Sequence, residues 1–352
     1  MRDLFGVLRA AETSGRYWYF HGTQFKEQIM KRIHFDRFGA PEEVLYQADV
    51  ADPVPGAGEV LLKIRMRPIN PADIAYITGS YVPPESWPAC PGMEAVGTVA
   101  AVGPGVDTVR PGQRFIVSRI RGTWAEYMVV PVRALLPVAP DLSDEIACQM
   151  SINPLTALLL LQAVVPEGAI VQTAAGSAVG RLVNQLAART GRTIINLVRR
   201  ADTAADLRSQ GYRHVILSSD ENWQDQVRET AGDEAVVAAF DPVAGSTGQS
   251  LLAVLSRGGV LILYGGLSGE PVPASAMQLA GNDLSIKGFW LAPWYARSSA
   301  EEKKHVLRGL EDSFRTGELS IPVAGIHTLE NFKAGIEQVL SPGRLGKILL
   351  SS

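Results

Sequence analysis

The hydrophobic pattern of the chain changes character near Asn153. Before that point, short apolar runs rich in β-branched residues alternate with glycine and proline, which is typical of strands joined by turns. Clear examples are residues 60–64, 97–102 and 125–130. This first part of the chain is therefore predicted to be a twisted, β-rich, barrel-like domain.

After Asn153, apolar strands alternate with helices. The predicted strands are residues 169–173, 193–198, 214–217, 235–240 and 259–264. The helices predicted between them are residues 179–190, 203–211, 222–230 and 251–256. Strands that alternate with helices form βαβ units, in which the strands pair in parallel. The fold class is therefore α/β, with a doubly wound parallel sheet of the Rossmann type.

The two ends of the chain differ from the regions that they adjoin. Strand-like runs return at residues 323–328 and 347–350, around a helix at residues 329–340, so we expect the end of the chain to rejoin the β-rich domain. Residues 1–29 lack a continuous apolar stretch, so they do not form a secretory signal. We predict that they are an extension outside the fold. Our hypothesis is that the true start of the protein is Met30. The predicted domains are thus residues 30–152 with 323–352 (substrate and catalysis) and residues 153–322 (cofactor).

Composition narrows the class of protein. The 352-residue chain has a formal net charge of −3 and no block of basic residues, so nucleic acid is not an expected partner. Its apolar runs are too short to span a bilayer. Cys90 and Cys148 stand outside any C-x-x-C or C-x-x-H spacing, which fits a reducing compartment without disulfides. We expect a cytoplasmic protein, with the mitochondrial matrix as the alternative.

A turn of small residues follows the first strand of the predicted parallel sheet. It runs from Thr173 to Gly180 with the sequence TAAGSAVG. Such a turn lets the backbone approach a pyrophosphate, which the N-terminus of the following helix attracts. The predicted cofactor-binding residues are Gly176, Ser177, Ala178, Val179 and Gly180. A tight turn selected only for packing is the alternative, because Ala174 and Ser177 replace the first two glycines of the usual pattern.

The end of the second strand favours a phosphorylated cofactor. NAD-binding units place an acid about 20 residues after the glycines, against the ribose hydroxyl. Here the strand ends in Arg199 and Arg200 with no acid at its tip. A guanidinium binds the 2′-phosphate of NADP through a charge-assisted contact. We therefore predict NADPH as the cofactor; a solvated arginine pair at a surface turn is the alternative.

Several segments together resemble the medium-chain dehydrogenase/reductase superfamily, and most closely its mitochondrial-type 2-enoyl thioester reductases. They are residues 70–74 (NPADI), 78–81 (TGSY), 91–97 (PGMEAVG), 122–124 (GTW), 153–157 (NPLTA), 264–266 (YGG) and 287–291 (KGFWL). The resemblance covers the chain from Met30 onwards. It implies a GroES-like barrel beside the Rossmann sheet and a homodimer formed through the cofactor domains near Lys287.

The resemblance also predicts whether the protein binds zinc. Alcohol dehydrogenases of this superfamily bind catalytic zinc through Cys, His and Cys, and the matching positions here are Asn70, Met93 and Asn153. None of these can replace a thiolate or an imidazole in a tetrahedral zinc site. No metal is therefore expected.

Without a metal, the resemblance implies that Tyr81 stabilises the negative charge formed when hydride reaches the β-carbon of a 2-enoyl thioester. A phenol donates a hydrogen bond at neutral pH. An aromatic residue that merely seals the cleft is the alternative reading of Tyr81. NADPH:quinone reduction is a second candidate function, and a non-catalytic NADPH-binding protein is a third.

The remaining cofactor contacts are also implied by the resemblance. Asn153 would contact the nicotinamide side, although it could equally be a helix N-cap. Lys347 would lie near the cofactor phosphates, although a lone lysine is more often solvated. The other implied residues are Tyr264, Gly265, Gly266 and Leu267 beneath the nicotinamide, and Phe289, Trp290 and Leu291, which could instead form a core strand.

Overall fold

The computed structural model describes residues 29–352 and, before them, the backbone of two short strands. These are β1 (Tyr17–Phe20) and β2 (Thr23–Lys26), which pair antiparallel. The predicted extension at residues 1–29 therefore lies largely outside the described residues. Ile29 is already the first residue of the next strand, one residue before the predicted start at Met30.

The first half of the described chain consists mainly of short strands. They are β3 (Ile29–His34), β4 (Tyr46–Ala51), β5 (Glu59–Pro68), β6 (Glu94–Val102), β7 (Arg114–Ser118), β8 (Tyr127–Pro131) and β9 (Leu135–Pro137). Short helices interrupt them: α1 (Pro41–Val44), α2 (Pro71–Thr78) and α3 (Asp144–Ala147).

Strands and helices alternate in the second half. The strands are β10 (Ala169–Gln172), β11 (Ile194–Val198), β12 (Val215–Leu217), β13 (Val236–Asp241), β14 (Val260–Leu263), β15 (Ser285–Gly288), β16 (Val323–Thr328) and β17 (Lys347–Ser351). The helices are α4 (Asn153–Gln162), α5 (Ala178–Ala188), α6 (Ala201–Ser209), α7 (Trp223–Ala231), α8 (Gly245–Leu252), α9 (Ala276–Asn282), α10 (Leu291–Arg297), α11 (Ala300–Arg315) and α12 (Phe332–Leu340).

One sheet is wholly parallel, with the strand order β12-β11-β10-β13-β14-β15. Every residue of β10 is buried, as expected for a strand covered by helices on both faces. The strand order reverses between β10 and β13, and ligands of doubly wound sheets bind at such a switch point. The predicted α/β fold class with a Rossmann sheet is confirmed.

The second large sheet joins the two ends of the described chain. Its order is β16-β17-β5-β6-β7-β9, and β8 also pairs with β5. Strand β17 runs antiparallel to β5, with Leu349 opposite Pro68. The Ile69 N–H then donates to the Ile348 carbonyl at 2.9 Å. The last strand therefore lies beside the start of α2, the helix that leads to Tyr81.

One predicted helix is wrong in its position. The helix predicted at residues 251–256 is α8, which begins at Gly245 and ends at Leu252. The helix includes Gly248, where a Cβ would lie 2.8 Å from Val272 Cγ2. The buried Asp241 carboxylate organises the start of the segment by accepting the N–H groups of Val243 and Ala244, each at 2.9 Å.

The helices also bear on membrane insertion. Within the part of the chain that the structure describes, none of them is both long and apolar enough to cross a bilayer.

We predict that Gly97→Ala destabilises the β-rich domain. A Cβ there would lie 2.6 Å from the Lys63 carbonyl oxygen and 2.7 Å from Leu62 Cγ, so the strands β5 and β6 must separate. Overpacking of this kind lowers the free energy of unfolding by about 1–3 kcal/mol. Thermal unfolding followed by circular dichroism measures the effect.

The control is Gly309→Ala in the exposed middle of α11, where a Cβ meets nothing within 4 Å. That change is expected to stabilise the helix by about 1 kcal/mol. Equal melting temperatures for the two variants would contradict the assigned packing.

Candidate active site

The turn between β10 and α5 lies at the switch point of the parallel sheet. Ala174 has a φ of 49°, a left-handed conformation that glycine adopts more readily. A Cβ on Gly176 would lie 2.4 Å from Thr203 Cγ2, and one on Gly180 would lie 2.6 Å from the Ala175 carbonyl oxygen. Both glycines therefore permit a close approach that a larger residue would block.

The N-terminus of α5 is open beside this turn. Ser177 Oγ accepts the Gly180 N–H at 3.2 Å, so the serine caps the helix. The N–H groups of Ala178 and Val179 lie in the first helical turn, where the backbone has no partner within the helix. Free N–H groups and the positive end of the helix dipole bind anions. This backbone fits a pyrophosphate.

The loop after β14 forms a second part of the cradle. A Cβ on Gly265 would lie 2.8 Å from the Pro242 carbonyl oxygen, whereas one on Gly266 would meet nothing within 4 Å. Leu267 is 60% exposed. The Tyr264 Oη is buried and has no hydrogen-bond partner among the described residues. A buried hydroxyl without a partner is a feature that a bound cofactor would explain.

The predicted segment Phe289, Trp290 and Leu291 follows β15. The Phe289 N–H donates to the Leu263 carbonyl at 2.7 Å, which holds this loop against the one after β14. Trp290 is 55% exposed, and the buried Leu291 begins α10. The alternative reading as a core strand is wrong, because β15 ends at Gly288 and the chain turns into a helix.

The arginine pair lies at the exposed end of β11, next to the turn. Arg200 Nε donates to both carboxylate oxygens of Asp202, at 3.0 and 3.1 Å. The expectation that no acid lies at the end of β11 is therefore wrong, because the start of α6 places the Asp202 carboxylate against Arg200. Arg199 is exposed and forms no ion pair with any described residue. Its guanidinium is thus the one free to meet an anion.

Tyr81 lies opposite Trp290 in the loop after β15. The space between the two walls at this point is called the cleft. Tyr81 follows α2, which ends at Gly79 with a φ of 85°. Its ring is half-buried and its centroid lies 5.7 Å from that of Trp290, at a tilt of 53°. Burial raises the pKa of the Tyr81 phenol, and the Trp290 indole and the Arg121 charge oppose part of that rise. The phenol is therefore a hydrogen-bond donor at neutral pH.

Two arginines near Tyr81 were not predicted as site residues. The Arg119 guanidinium lies 5.0 Å from the Tyr295 ring centroid, and the Arg121 guanidinium lies 4.6 Å from that of Tyr76. Neither forms an ion pair with a described residue. The sequence held a signal for them, because both lie within three residues before the GTW segment at residues 122–124. They give this side of the cleft a positive potential.

Asn153 meets Asn70 in the floor of the cleft. Its Nδ2 donates to Asn70 Oδ1 at 3.4 Å, so two of the three positions that match zinc ligands are in contact. The helix N-cap interpretation of Asn153 is wrong, because Ile152 is the N-cap and Asn153 is the first residue of α4. The amide is therefore available for the cleft.

A buried polar cluster surrounds Asn70, and sequence reasoning missed most of it. Asn70 Nδ2 donates to Glu94 Oε1 at 2.9 Å, and Ser151 Oγ donates to Glu94 Oε2 at 2.7 Å. Lys347 Nζ donates to the Ile69 carbonyl at 3.0 Å and to Asn70 Oδ1. Lys347 is 5% exposed, so its interpretation as a solvated lysine is wrong.

The charges in this cluster are strongly perturbed. Burial lowers the pKa of Lys347 to about 8, although Glu94 and Asp73 oppose the shift. Burial raises the pKa of Glu94 and raises that of Asp73 to about 7. Within the described part of the chain, no group of three or more His, Cys, Asp or Glu residues is arranged to hold a metal ion.

Comparison with known families agrees with this architecture. Residues 56–141 match the alcohol dehydrogenase GroES-like domain, and residues 178–307 match the zinc-binding dehydrogenase family. The chain is 30% identical to the human mitochondrial enoyl-[acyl-carrier-protein] reductase, over 98% of this chain and 95% of the human protein. It is 31% identical to the Arabidopsis thaliana protein of the same name, over 90% and 86% of the respective chains.

Solved structures of similar proteins support the same family. An Escherichia coli quinone oxidoreductase complexed with NADPH is 25% identical, with a TM-score of 0.84 and coverage of 92% of this chain and 100% of the other. A mutant enoyl thioester reductase from Candida tropicalis is 20% identical, with a TM-score of 0.78 and the same coverage, which shows the fold alone. The predicted resemblance is confirmed: the chain belongs to the medium-chain dehydrogenase/reductase superfamily of nicotinamide-dependent oxidoreductases.

Proposed function

We propose that this protein is a zinc-independent, NADPH-dependent reductase of activated carbon–carbon double bonds, acting on 2-enoyl thioesters of CoA or acyl carrier protein. The observation that carries the proposal is the position of the Tyr81 ring, which faces Trp290 across a cleft bordered by the glycine loops. Residues 153–322 would bind the cofactor, and residues 30–152 with 323–352 would supply the substrate side. The enoyl reductase relatives support this choice.

Tyr81 is assigned the charge-stabilising role. NADPH, when bound, supplies the hydride that the β-carbon of the substrate accepts. Negative charge then develops on the thioester carbonyl oxygen, and a positioned donor at that oxygen lowers the barrier. Tyr81 donates this hydrogen bond, or helps to protonate the α-carbon. Arg119 and Arg121 add positive charge on the same side of the cleft and favour the same transition state.

Other groups of the chain hold the cofactor. The turn from Gly176 to Gly180 takes the pyrophosphate, and Asn153 takes the nicotinamide half. Residues 264–267 and 289–291 form the cradle between them. Arg199 takes the 2′-phosphate, because Arg200 is already occupied by Asp202. This last assignment is the basis for preferring NADPH over NADH.

NADPH:quinone reduction is the second candidate function. The Tyr81 and Trp290 rings could stack a flat acceptor, and the Escherichia coli relative is a quinone oxidoreductase. The relatives favour the thioester, because the enoyl reductases are 30% and 31% identical to this chain and the quinone oxidoreductase is 25% identical. A protein that binds NADPH tightly but reduces neither acceptor would instead be the non-catalytic alternative.

The proposed compartment is the cytoplasm, with the mitochondrial matrix as the alternative that the relatives' names suggest. Both are reducing, and both cysteines support such a setting. Cys90 and Cys148 are free and buried, and burial raises the pKa of each thiol.

We predict that Tyr81→Phe lowers kcat for crotonyl-CoA by about 10²–10³, the usual effect of losing one donor to a developing oxyanion. The KM for NADPH should stay unchanged. Because burial raises the pKa of Tyr81, its ionisation should cause no loss of rate below pH of about 10. Steady-state NADPH oxidation measures all three quantities.

The control is Tyr127→Phe. Tyr127 lies on β8, and its ring lies beneath Lys63. Wild-type protein should reduce crotonyl-CoA faster than a simple naphthoquinone. A near-normal kcat in Tyr81→Phe would remove Tyr81 from its role, and the opposite substrate preference would favour the quinone function.

We predict that Arg199→Gln raises the Kd for NADPH by about 10- to 100-fold, the effect of losing a hydrogen bond to a charged group. The Kd for NADH should not change. Arg257→Gln, which changes an exposed arginine just before β14, is the control and should leave the Kd for NADPH unchanged. Isothermal titration calorimetry provides both constants; equal affinities of wild-type protein for NADPH and NADH would refute the assignment.

We further propose a homodimer formed through the edge of the parallel sheet. All four residues of β15 are exposed, and Met277 on the neighbouring α9 is 80% exposed. An unpaired strand edge with apolar side chains favours pairing with a second copy.

Analytical ultracentrifugation should give twice the chain mass of 37.8 kDa. Ile286→Asp on β15 should shift the protein to the monomer, whereas Val54→Asp, at an exposed position of the other domain, should not. A monomeric wild-type protein would exclude this dimer.

A further inference from the structure

The cluster around Asn70 has no role in the proposed chemistry so far. It combines one ammonium and two carboxyl groups, all buried: Lys347, Glu94 and Asp73 are 5%, 0% and 0% exposed. Burying charges is unfavourable unless each finds partners. Each of these groups therefore needs its partners, and the partners fix the geometry of the cluster.

The cluster determines which way the Asn70 amide faces. Asn70 Oδ1 accepts from Lys347 Nζ, and Asn70 Nδ2 donates to Glu94 Oε1 at 2.9 Å. An ammonium only donates and a carboxylate only accepts. A flipped Asn70 amide would set its NH2 group against the ammonium and its oxygen against the carboxylate. The two charges therefore admit only one orientation.

The orientation of Asn70 fixes that of Asn153 in turn. Asn153 Nδ2 donates to Asn70 Oδ1 at 3.4 Å. A flipped Asn153 would bring two carbonyl oxygens together. Among the described residues, Asn153 Oδ1 accepts no hydrogen bond from a side chain, and the residue keeps 8% of its surface exposed. Asn153 therefore presents an oxygen, an acceptor, to the cleft.

We infer that Lys347 and Glu94 are positioning residues, which act through Asn70 to make Asn153 a hydrogen-bond acceptor for a donor on the nicotinamide riboside half of the cofactor. The inference rests on the proposed function, because it assumes that NADPH occupies this cleft. It accounts for the buried lysine, which lies on β17 far from the glycine turn in the chain. It also accounts for Ser151, which holds the second oxygen of Glu94 at 2.7 Å.

The test compares two ligands that differ only in the nicotinamide half. NADPH would contact both the turn and Asn153, whereas 2′-phospho-ADP keeps the 2′-phosphate and the pyrophosphate and lacks the whole nicotinamide riboside. Lys347→Met should raise the Kd for NADPH by about 3- to 10-fold, the effect of one hydrogen bond, and leave the Kd for 2′-phospho-ADP within about 2-fold. Isothermal titration calorimetry on the full chain measures both without turnover.

Two further variants make the result decisive. Lys347→Met combined with Glu94→Gln removes both charged groups that bind the Asn70 amide, so neither is left facing a lost partner, and the fold is kept more readily than in either single variant. It should show the same selective loss. Lys347→Met combined with Asn153→Ala should be no weaker than Asn153→Ala alone, because both act through one contact. The control is Lys333→Met, an exposed lysine on α12.

The outcomes separate the inference from the proposed function. Equal weakening of both ligands, additive effects of Lys347→Met and Asn153→Ala, or unchanged NADPH binding would overturn the inference alone. A wild-type protein that binds neither ligand would overturn the proposed function, and the inference with it.

Discussion

The burial of the Lys347 ammonium is the constraint on which the floor of the cleft depends. Water is replaced there by the Ile69 carbonyl, by Asn70 and by the charge of Glu94. These partners meet only when β17 lies beside β5. The residues at the start of α2 therefore have these partners only when the last strand of the chain is paired in the β-rich sheet.

The two walls of the cleft are built by different physical means. On the side of the parallel sheet, small residues and free N–H groups leave room for a ligand, as at Gly176 and Gly266. On the other side, large side chains define the space, with the Tyr81 ring tilted towards Trp290 and arginines held over aromatic rings. The first wall suits a phosphate-rich cofactor, and the second suits a substrate whose reaction develops negative charge.

Local patterns predicted the fold well. The alternation of strands and helices gave the parallel sheet, and the small-residue turn gave the start of α5 within one residue. Both depend on neighbours in sequence. The start of α8 was missed because Gly248 disfavours a helix locally and serves a contact with Val272 that only the folded chain reveals.

The site was predictable only in part, for the same reason. Asp202 follows Arg200 by two residues, yet its hydrogen bonds to Arg200 depend on how α6 begins. The contacts of Asn70 with Glu94 and Lys347 join β17 to elements of the first half of the chain. Single residues such as Glu94 or Lys347 carry no local signal of such partners, since long-range packing alone creates them. The resemblance drew attention to Asn153 and Lys347, and the structure supplied their connection.

The Tyr81–Trp290 contact has a practical consequence. The two rings belong to opposite walls, and Trp290 keeps 55% of its surface exposed. Indole emission depends on solvent contact and on neighbouring groups, so any hinge movement that widens the gap would alter its colour and intensity. Trp290 is one of six tryptophans, so the difference in emission between the wild-type protein and a Trp290→Phe variant would report cleft opening without an attached dye.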